Sequence, residues 1–356
     1  MRFRCLSVCA LVAFSASASA SASASASAQS VDSFYRGASI RLVIGVAAGG
    51  SYDIDARLVA RHLGDHVPGN PKVLPENMPG ASGRLAANYL YTVAAKDGSV
   101  LGAVQETAAL GQLLGENGVR YDAAGFNWVG TPVQPDDVIA VRADAGVHSI
   151  AEAKVKELVI GATSPTGGNY IYPALVNRLV GTKFKIVTGY QGGNAIDLAL
   201  ERGEVQGRGS NPWSAWKATR PDWVRTGWLI PLVQVTLIKH PDLPNVPRLI
   251  DLAPDEAARG VLQTMSLVAD IGRPIFLPPG VPSDRVAALR RAFDETMTDP
   301  AFLADAARLQ EEVRPASGAA LATLVREVLA TPKPTVERLK AALAVVGAAG
   351  EKAPSK

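Results

Sequence analysis

The chain has 356 residues, and its 36 Lys and Arg nearly balance its 33 Asp and Glu, which leaves a formal charge of +3. Because no long basic run carries interleaved aromatic residues, nucleic acid is excluded as an expected partner. A chain of this length is too long for one small core, so we expect two lobes.

The first 28 residues have the pattern of a secretory signal peptide followed by a low-complexity repeat. Arg2 and Arg4 form a short basic region, and residues 6–14 form an apolar region. Residues 15–28 alternate Ser and Ala, whose side chains are too small to pack a core. We therefore exclude 1–28 from the fold and expect cleavage before Gln29 or within the repeat, followed by export to the periplasm.

Both cysteines, Cys5 and Cys9, lie inside this leader, so the mature chain is expected to contain no disulfide and no thiol. A lipid anchor on Cys9 is disfavoured, because the apolar stretch follows this cysteine instead of preceding it. No later stretch is apolar over the length that a bilayer requires. The sequence therefore predicts a soluble exported protein.

The segment at 40–61 predicts a strand, a glycine turn and a helix in direct succession. Residues 40–46 are apolar, Gly49 and Gly50 allow a tight turn, and Ile54 and Leu58 begin the apolar face of a helix. The unpaired N–H groups at the start of such a helix favour a small anion. No Lys follows the second glycine, which excludes a phosphate-binding P-loop.

Strand-like and helical segments alternate along the rest of the chain, which is typical of an α/β fold. In the first lobe we expect strands at 40–46, 72–74, 100–104 and 128–133 and a helix at 84–93. In the second lobe we expect strands at 138–141, 157–163, 183–188, 205–209 and 229–237, with helices ending near 179 and 202. Residues 266–277 are expected to return as a strand of the first lobe, before packing helices of that lobe at 284–297, 319–329 and 335–346.

These segments predict a discontinuous first lobe. It comprises residues 29–134 plus 245–350, and the second lobe comprises 135–244. A chain that leaves one lobe, builds another and returns has two connections, which act as a hinge and allow closure about a ligand. The last residues, 351–356, are expected to be a frayed tail.

Six short motifs in this order resemble those of the tripartite tricarboxylate transporter solute-binding proteins, also called the Bug or TctC-like family. GGSYDIDAR resembles the family's GGSTD-x-x-AR signature, although Ala47 and Ala48 replace its usual prolines and Ala95 replaces another. The other five motifs are NMPGASG at 77–83, KDGS at 96–99, YQGG with DL and GEV at 190–205, LPNVP at 243–247 and LPPGVP at 277–282. The resemblance implies a type II periplasmic binding fold, a receptor for a small organic carboxylate, and integral membrane transporter subunits as partners.

In open α/β sheets, ligands bind beyond the carboxyl ends of the strands. The loops at 47–53, 164–170 and 189–194 all follow predicted strands, and they are expected to meet in the cleft between the lobes. The resemblance implies that backbone N–H groups, hydroxyls and bridging water in the first two loops hold a carboxylate. The expected ligand-binding residues are Gly49, Gly50, Ser51, Asp53, Ser164, Thr166, Gly168, Asn169, Tyr190, Gly192 and Asn211.

No arginine clamp is required for this binding. A hydrogen bond to a charged group contributes about 1.5–3 kcal/mol, so four would give roughly 6–12 kcal/mol before ordering costs. Micromolar binding needs only about 8 kcal/mol.

Three of these residues also have purely structural interpretations. Ser51 is expected to be the N-cap of its helix, with or without a ligand contact. Asp53 is placed to favour the helix dipole, and it would repel an anionic ligand unless it met a donor group there. Asp53 is thus either structural or the position that determines specificity. Tyr190 either reaches the ligand or covers its glycine turn.

Histidine and tryptophan add weaker signals. His62 and His66 share a helix face, but no carboxylate is obviously placed to complete a metal site, and a cation near a helix C-terminus is favoured anyway. We therefore expect no metal. The four clustered tryptophans are expected in the core and surface of the second lobe more than along the cleft, namely Trp213, Trp216, Trp223 and Trp228.

An enzyme is disfavoured, because the sequence contains neither a G-x-S-x-G elbow nor a G-x-G-x-x-G fingerprint. We expect no catalytic residue and no cofactor, and we expect a monomer. A periplasmic sensor that binds its ligand without transporting it stays open as an alternative, and an unfamiliar exported enzyme is a minor one. The identity of the carboxylate also stays open, with dicarboxylates, tricarboxylates, aromatic acids and amino or nicotinic acids all compatible with the sequence.

Overall fold

The computed structural model describes residues 30–134, 136–165, 167–348 and 351–352. The expected signal peptide and Ser-Ala repeat at 1–28 lie outside the described residues, as do all the alternative cleavage sites. Thr166, one of the expected ligand-binding residues, also lies outside them. Helices and strands alternate along most of the described chain, which confirms the expected α/β class.

A six-stranded mixed sheet forms the centre of the first lobe, with the spatial order β11-β4-β10-β3-β1-β2. The pairs of β1 with β2 and β3 are parallel, whereas β10 is antiparallel to both β3 and β4. Its strands are β1 (Ser39–Ile44), β2 (Lys72–Asn77), β3 (Val100–Ala103), β4 (Asn127–Thr131), β10 (Ile275–Leu277) and β11 (Ala316–Ser317).

A second six-stranded sheet forms the other lobe, with the order β12-β7-β6-β8-β5-β9. Here β6 is parallel to β7 and β8, and β5 is antiparallel to β8 and β9. Its strands are β5 (Asp137–Arg142), β6 (Leu158–Gly161), β7 (Phe184–Thr188), β8 (Gly207–Pro212), β9 (Leu229–Gln234) and β12 (Glu351–Lys352). Apart from β12, these strands fall within 135–244, while the exact lobe boundaries stay a prediction.

Helices cover the sheets and bury their apolar sides. Leu58 and Leu63 of α2, for example, pack in one apolar cluster with Ile40 and Leu42 of β1. Among the described residues, none of the helices combines the length and the apolar character that crossing a membrane requires. The helices are α1 (Val31–Tyr35), α2 (Ser51–His66), α3 (Arg84–Thr92), α4 (Thr107–Leu113), α5 (Ile150–Ala153), α6 (Gly168–Val180), α7 (Gly193–Arg202), α8 (Trp213–Thr219), α9 (Pro221–Arg225), α10 (Glu256–Asp270), α11 (Ser283–Thr296), α12 (Pro300–Leu309), α13 (Gly318–Leu329) and α14 (Lys333–Ala348).

The expectation of one long returning strand at 266–277 is wrong in its first half. Residues 266–270 are the end of α10, and only Ile275–Leu277 form a strand. The helix is specified by its buried positions at Ala258, Val261 and Met265, which recur at helical spacing. Its N-cap Asp255 accepts a hydrogen bond from the backbone N–H of Ala258 at 2.6 Å.

The C-terminal region touches both lobes. Whereas α13 packs on β4 in the first lobe as expected, α14 packs on α10 of the first lobe and on α6 of the second. The expected frayed tail begins instead with a short strand, because Glu351–Lys352 pairs in parallel with β7. Residues 353–356 lie outside the described part of the chain. The last helix therefore adds a third crossing between the lobes to the two that we expected.

Candidate functional site

A cavity of about 150 Å³ lies between the lobes. The first lobe contributes residues of the first turn of α2, of the segment after β3, and of the end of α10 and the turn after it, namely Tyr52, Gln105, Glu106, Ala269, Gly272 and Arg273. The second lobe contributes residues of β5, of α6 and of the end of β8, namely Asp137, Gly168, Asn169, Tyr172, Ser210, Asn211 and Pro212. The cavity is therefore a cleft built from both sheets at the ends of their strands.

Three of the expected ligand-binding residues, Gly168, Asn169 and Asn211, line this cavity. The start of α6 is placed to act as an anion-binding helix end. Its N-cap is Gly167, which has no side chain that could accept hydrogen bonds from the N–H groups of the first turn. Asn169 also shapes its own loop, since its side-chain oxygen accepts hydrogen bonds from the backbone N–H and the hydroxyl of Thr163, both at 3.2 Å. The second-lobe half of the expected site thus faces the cleft.

The first-lobe loop is placed differently. Gly49 and Gly50 are exposed and are not among the residues that line the cavity, although Tyr52, two residues further on, does line it. The expectation that Ser51 caps α2 is wrong, because the helix begins at Ser51 and Gly50 occupies the N-cap position. Gly50 has the extended backbone of an N-cap, and its carbonyl accepts the first helical hydrogen bond, from the N–H of Ile54 at 3.0 Å.

Asp53 is buried, with 3% of its surface exposed, and its carboxylate is fully engaged within the first lobe. It accepts hydrogen bonds from the N–H of Gly49 at 2.8 Å, from Arg57 at 2.9 Å and from Asn77 at 2.8 Å. Burial alone would raise the pKa of Asp53, but these three donors together outweigh it and hold the pKa below its ordinary value. Asp53 therefore braces the glycine turn against α2 and β2, as its structural interpretation predicts.

The remaining expected residues lie outside this cavity. Ser164, Tyr190 and Gly192 are not among the residues that line it. The ring of Tyr190 packs against the apolar cluster of Ile196 and Val205 in the second lobe. The loop at 189–194 therefore does not join the other two loops at the cavity wall.

The tryptophans pack within the second lobe. Trp213 and Trp216 are buried in a cluster with Val138 of β5, and the rings of Trp223 and Trp228 lie 4.5 Å apart beside them. None of the four is among the residues that line the cleft cavity. Their placement follows the core and surface interpretation.

Two acidic residues of the cavity wall were missed by the sequence reasoning. Glu106 of the first lobe accepts a hydrogen bond from the hydroxyl of Tyr52, and Asp137 of the second lobe accepts one from the hydroxyl of Ser210 at 2.9 Å. Burial, with a smaller contribution from the charge of Asp137, raises the pKa of Glu106 to about 7, against the lowering effect of hydrogen bonds from Tyr52 and from its own backbone N–H. Burial also raises the pKa of Asp137 to about 6, opposed by the bond from Ser210.

A signal for Glu106 was present in the sequence. The strand at 100–104 was predicted, and Gln105 and Glu106 are the next two residues, so the rule that ligands bind beyond strand ends applies to them directly. Asp137 carried no such signal, because it stands at the start of β5 and reaches the cleft through an antiparallel strand.

Arg273 is the cation on this wall, and it was also missed because it lies in the stretch predicted as a strand. Its guanidinium pairs with Asp55, lies 3.6 Å from Glu311, and stacks over the ring of Tyr52 at 5.3 Å. Two carboxylates of its own lobe thus already neutralise its charge. The geometry is compatible with anion capture without an arginine clamp, as the sequence reasoning proposed.

His62 and His66 each pair with a carboxylate on or beside α12. His62 contacts Asp305 at 3.0 Å and His66 contacts Asp299 at 2.8 Å, so each binds a different carboxylate on or beside α12 and the two do not share a partner. This arrangement differs from a two-histidine metal site.

A different group brings possible metal ligands together beside the lobe connections. Ligand atoms of Asp136, His240 and Glu312 all lie within 4.8 Å of one another. Arg314 already places its guanidinium 3.5 Å from Glu312 and 4.0 Å from Asp136. A metal cation there would have to compete with this positive charge.

No family model and no curated relative matches the sequence. Solved structures do match in fold. A TctC solute-binding protein from Polaromonas, without ligand, has 19% identity and a TM-score of 0.64 over 85% of this chain and 99% of that chain. A Rhodopseudomonas palustris protein solved with adipate has 20% identity and a TM-score of 0.60, over 86% and 97% of the two chains.

A third match is MatC from Rhodopseudomonas palustris with bound malate, at 20% identity and a TM-score of 0.57, over 86% of this chain and 98% of that chain. These proteins are solute-binding proteins or were solved with small dicarboxylates in place, and each is covered almost completely. The described chain therefore has the fold of the TctC-type periplasmic solute-binding proteins, the same group that its sequence motifs resemble.

Proposed function

We propose that this chain is an extracytoplasmic receptor of the TctC and Bug type, which captures a small organic carboxylate between its lobes and delivers it to a tripartite tricarboxylate-type membrane transporter. The observation that carries the proposal is the cleft cavity lined from both lobes. A ligand that contacts both walls stabilises the closed arrangement of the lobes, which is how a receptor of this fold reports that it is loaded.

The second-lobe wall supplies the donors for a carboxylate. The first turn of α6 presents backbone N–H groups without a side-chain cap, and Asn211 and Tyr172 add polar side chains. The similar structures solved with adipate and malate support a carboxylate as the class of ligand. Export is supported by the leader pattern in the first 28 residues and by the fold.

The proposal is tested by a thermal-shift screen of organic acids on the chain from Gln29 onward. A ligand that binds only the native protein at 100 times its Kd stabilises it by about 2.7 kcal/mol. We expect at least one small carboxylate to raise Tm, whereas amines and sugars of similar size do not. The role of the cavity is tested with Asn211→Ala, which should reduce the shift, against Asn245→Ala at an exposed position away from the cavity.

The absence of any Tm shift across di-, tri-, aromatic and amino carboxylates would refute the proposal. Ligand recovered from the complex should have an unchanged mass, because a receptor releases its ligand intact and an enzyme does not. Uptake into vesicles that carry candidate membrane subunits should require the loaded receptor. Binding without such uptake, together with a response from a sensor kinase, would instead support the sensor alternative.

A further inference from the structure

The charges of the cavity wall disfavour a plain dicarboxylate as the ligand. Glu106 and Asp137 come from opposite lobes, and within the described residues neither forms an ion pair with a Lys, Arg or His. Glu106 accepts hydrogen bonds from the hydroxyl of Tyr52 and from its own backbone N–H, and Asp137 accepts one from the hydroxyl of Ser210, so all of these donors are neutral. The nearest cation on the wall, Arg273, is already paired with Asp55 and Glu311. A ligand with two carboxylates would therefore meet a wall that carries excess negative charge.

A buried carboxylate without a cationic partner is costly, because burial removes the water that stabilises its charge. Proteins reduce this cost by pairing the group or by protonating it. The side chains of Glu106 and Asp137 are partly open to the cavity, so a cationic group of a ligand has access to both. An ammonium group between them would pair with both lobes at once and favour closure.

An independent feature of the same cavity points to a hydrogen-bond partner on the ligand. Tyr172 is only 4% exposed and lines the cavity, and its hydroxyl has no hydrogen-bond partner in the part of the chain that the structure describes. Buried hydroxyls are normally hydrogen-bonded, so a ligand atom is the natural partner for this one. Tyr172 belongs to α6, whose uncapped first turn offers N–H donors beside it.

We infer that the ligand is a small amino carboxylate, whose carboxylate contacts the start of α6 and Tyr172 and whose ammonium group lies between Glu106 and Asp137. This inference rests on the proposed function and narrows its substrate class. Of the two roles that the sequence left open for Asp53, this inference excludes the specificity role and gives it to Glu106 and Asp137, because the carboxylate of Asp53 is already hydrogen-bonded inside the first lobe.

Titration calorimetry with matched ligands tests this inference. Aspartate, malate and succinate differ only in an amino group, a hydroxyl or a hydrogen at one carbon, and 2-aminoadipate and adipate form a longer pair. At pH 8, we expect the amino member of at least one set to bind at least tenfold more tightly than its partners. Glu106→Gln and Asp137→Asn should each reduce this preference to less than threefold, while Glu157→Gln at an exposed position should preserve it.

Both test variants are close in shape to the original residues, and their side-chain oxygens still accept the hydrogen bonds from Tyr52 and Ser210, so they should fold. If plain dicarboxylates bind the original protein as tightly as their amino partners or more tightly, the inference is wrong while the proposed function stands. If the amino preference exists but survives in both variants, the assignment to Glu106 and Asp137 is wrong. If no acid of any set or of the wider screen binds, the proposed function fails and the inference fails with it.

Discussion

Asp53 at the start of α2 and Glu106 on the wall of the cleft are both carboxylates shielded from bulk water, but their partners differ and their pKa values are shifted in opposite directions. Asp53 accepts hydrogen bonds from Gly49, Arg57 and Asn77, and its pKa is held below its ordinary value. Glu106 accepts hydrogen bonds only from neutral groups, the hydroxyl of Tyr52 and its own backbone N–H, and burial is the main cause that raises its pKa to about 7. Asp53 is buried within its lobe and Glu106 faces the cavity, and of these two carboxylates only Asp53 has a cation beside it.

This difference separates a structural carboxylate from one that is available to a ligand. A carboxylate whose partners come from its own lobe is satisfied before any ligand arrives, so it stabilises the fold and adds little to binding. The negative charge of a carboxylate that lacks a cationic partner is not neutralised in the empty protein. A ligand that supplies a positive charge is therefore stabilised most by such a carboxylate. Sequence position alone does not distinguish the two, since both residues lie near the start of a helix that follows a strand.

The largest effect is expected for Asp53→Ala, which removes the acceptor shared by three donors. We expect the free energy of unfolding to fall by about 3 kcal/mol, the upper end for one hydrogen bond to a charged group. The loss is not larger because Arg57 is partly exposed and water replaces its lost partner. Urea unfolding measures this change, and Asp65→Asn on the exposed side of the same helix serves as the control.

The pH dependence of the Asp53 effect has a definite sign. Because the pKa of Asp53 is lowered in the folded protein, its contribution is present above its ordinary pKa of 3.8 and is lost as the pH falls below it. The difference between wild type and Asp53→Ala should therefore shrink in acid. A difference that stays constant down to pH 3 would contradict the paired-carboxylate account.

The next largest effect is expected for Glu106→Gln, which should raise the free energy of unfolding at high pH where Asp53→Ala lowers it. Its raised pKa means that Glu106 contributes stability below its ordinary value of 4.5, and that this contribution is lost as the pH rises through about 7. In thermal unfolding without ligand, Glu106→Gln should equal wild type near pH 4 and be more stable by about 1–2 kcal/mol at pH 8. This is less than the full pKa shift would give, because cavity water reaches the side chain. A variant that is less stable at pH 8 would refute the contrast with Asp53.

The exposed glycine turn sets a third test, since its role in binding was predicted from sequence but the turn does not line the cavity. A Cβ added at Gly50 meets no atom within 4 Å, so Gly50→Val should fold normally. If the turn closes over the ligand as the sequence predicts, affinity should fall at least tenfold, which corresponds to about 1.4 kcal/mol. Calorimetry that finds unchanged affinity would assign binding to the cleft wall alone.

Much of the fold could be predicted because strands and helices here carry clear periodicity. The strand at 40–46 and the helix after Gly50 were found from apolar spacing, and the fold class followed from the alternation of such units. The end of the helix Glu256–Asp270 was taken for a strand because every residue from Thr264 to Ala269 is buried, so this part shows no helical period. The docking of α14 on α6 depends on contacts between distant segments, which no local pattern encodes.

The rule that ligands bind beyond strand ends predicted part of the site, and it also fits Glu106, which follows β3 but was missed. Gly168, Asn169 and Asn211 were found by the strand-end rule, and all three line the cleft. Asp137 lies on an antiparallel strand, and Tyr172 lies on the second turn of a helix, so neither stands at a predicted strand end. The partners that occupy Asp53 come from Gly49, Arg57 and Asn77, and the pairing with Asn77 became visible only after folding placed β2 beside β1.

The smallest effect is expected for Tyr172→Phe, and it extends the same contrast from carboxylates to hydroxyls. The hydroxyl of Tyr121 donates to the carbonyl of Ala108 at 2.8 Å, whereas that of Tyr172 has no protein partner among the described residues. Removing the paired hydroxyl in Tyr121→Phe should lower the free energy of unfolding by about 1 kcal/mol and leave affinity unchanged. Removing the unpaired one in Tyr172→Phe should leave the empty protein as stable as before but weaken ligand binding about fivefold, or about 1 kcal/mol. Equal losses of stability in the two variants would mean that the Tyr172 hydroxyl is already hydrogen-bonded in the empty protein. In that case Tyr172 would not differ from a core tyrosine such as Tyr121, and it would not be a free donor for the ligand.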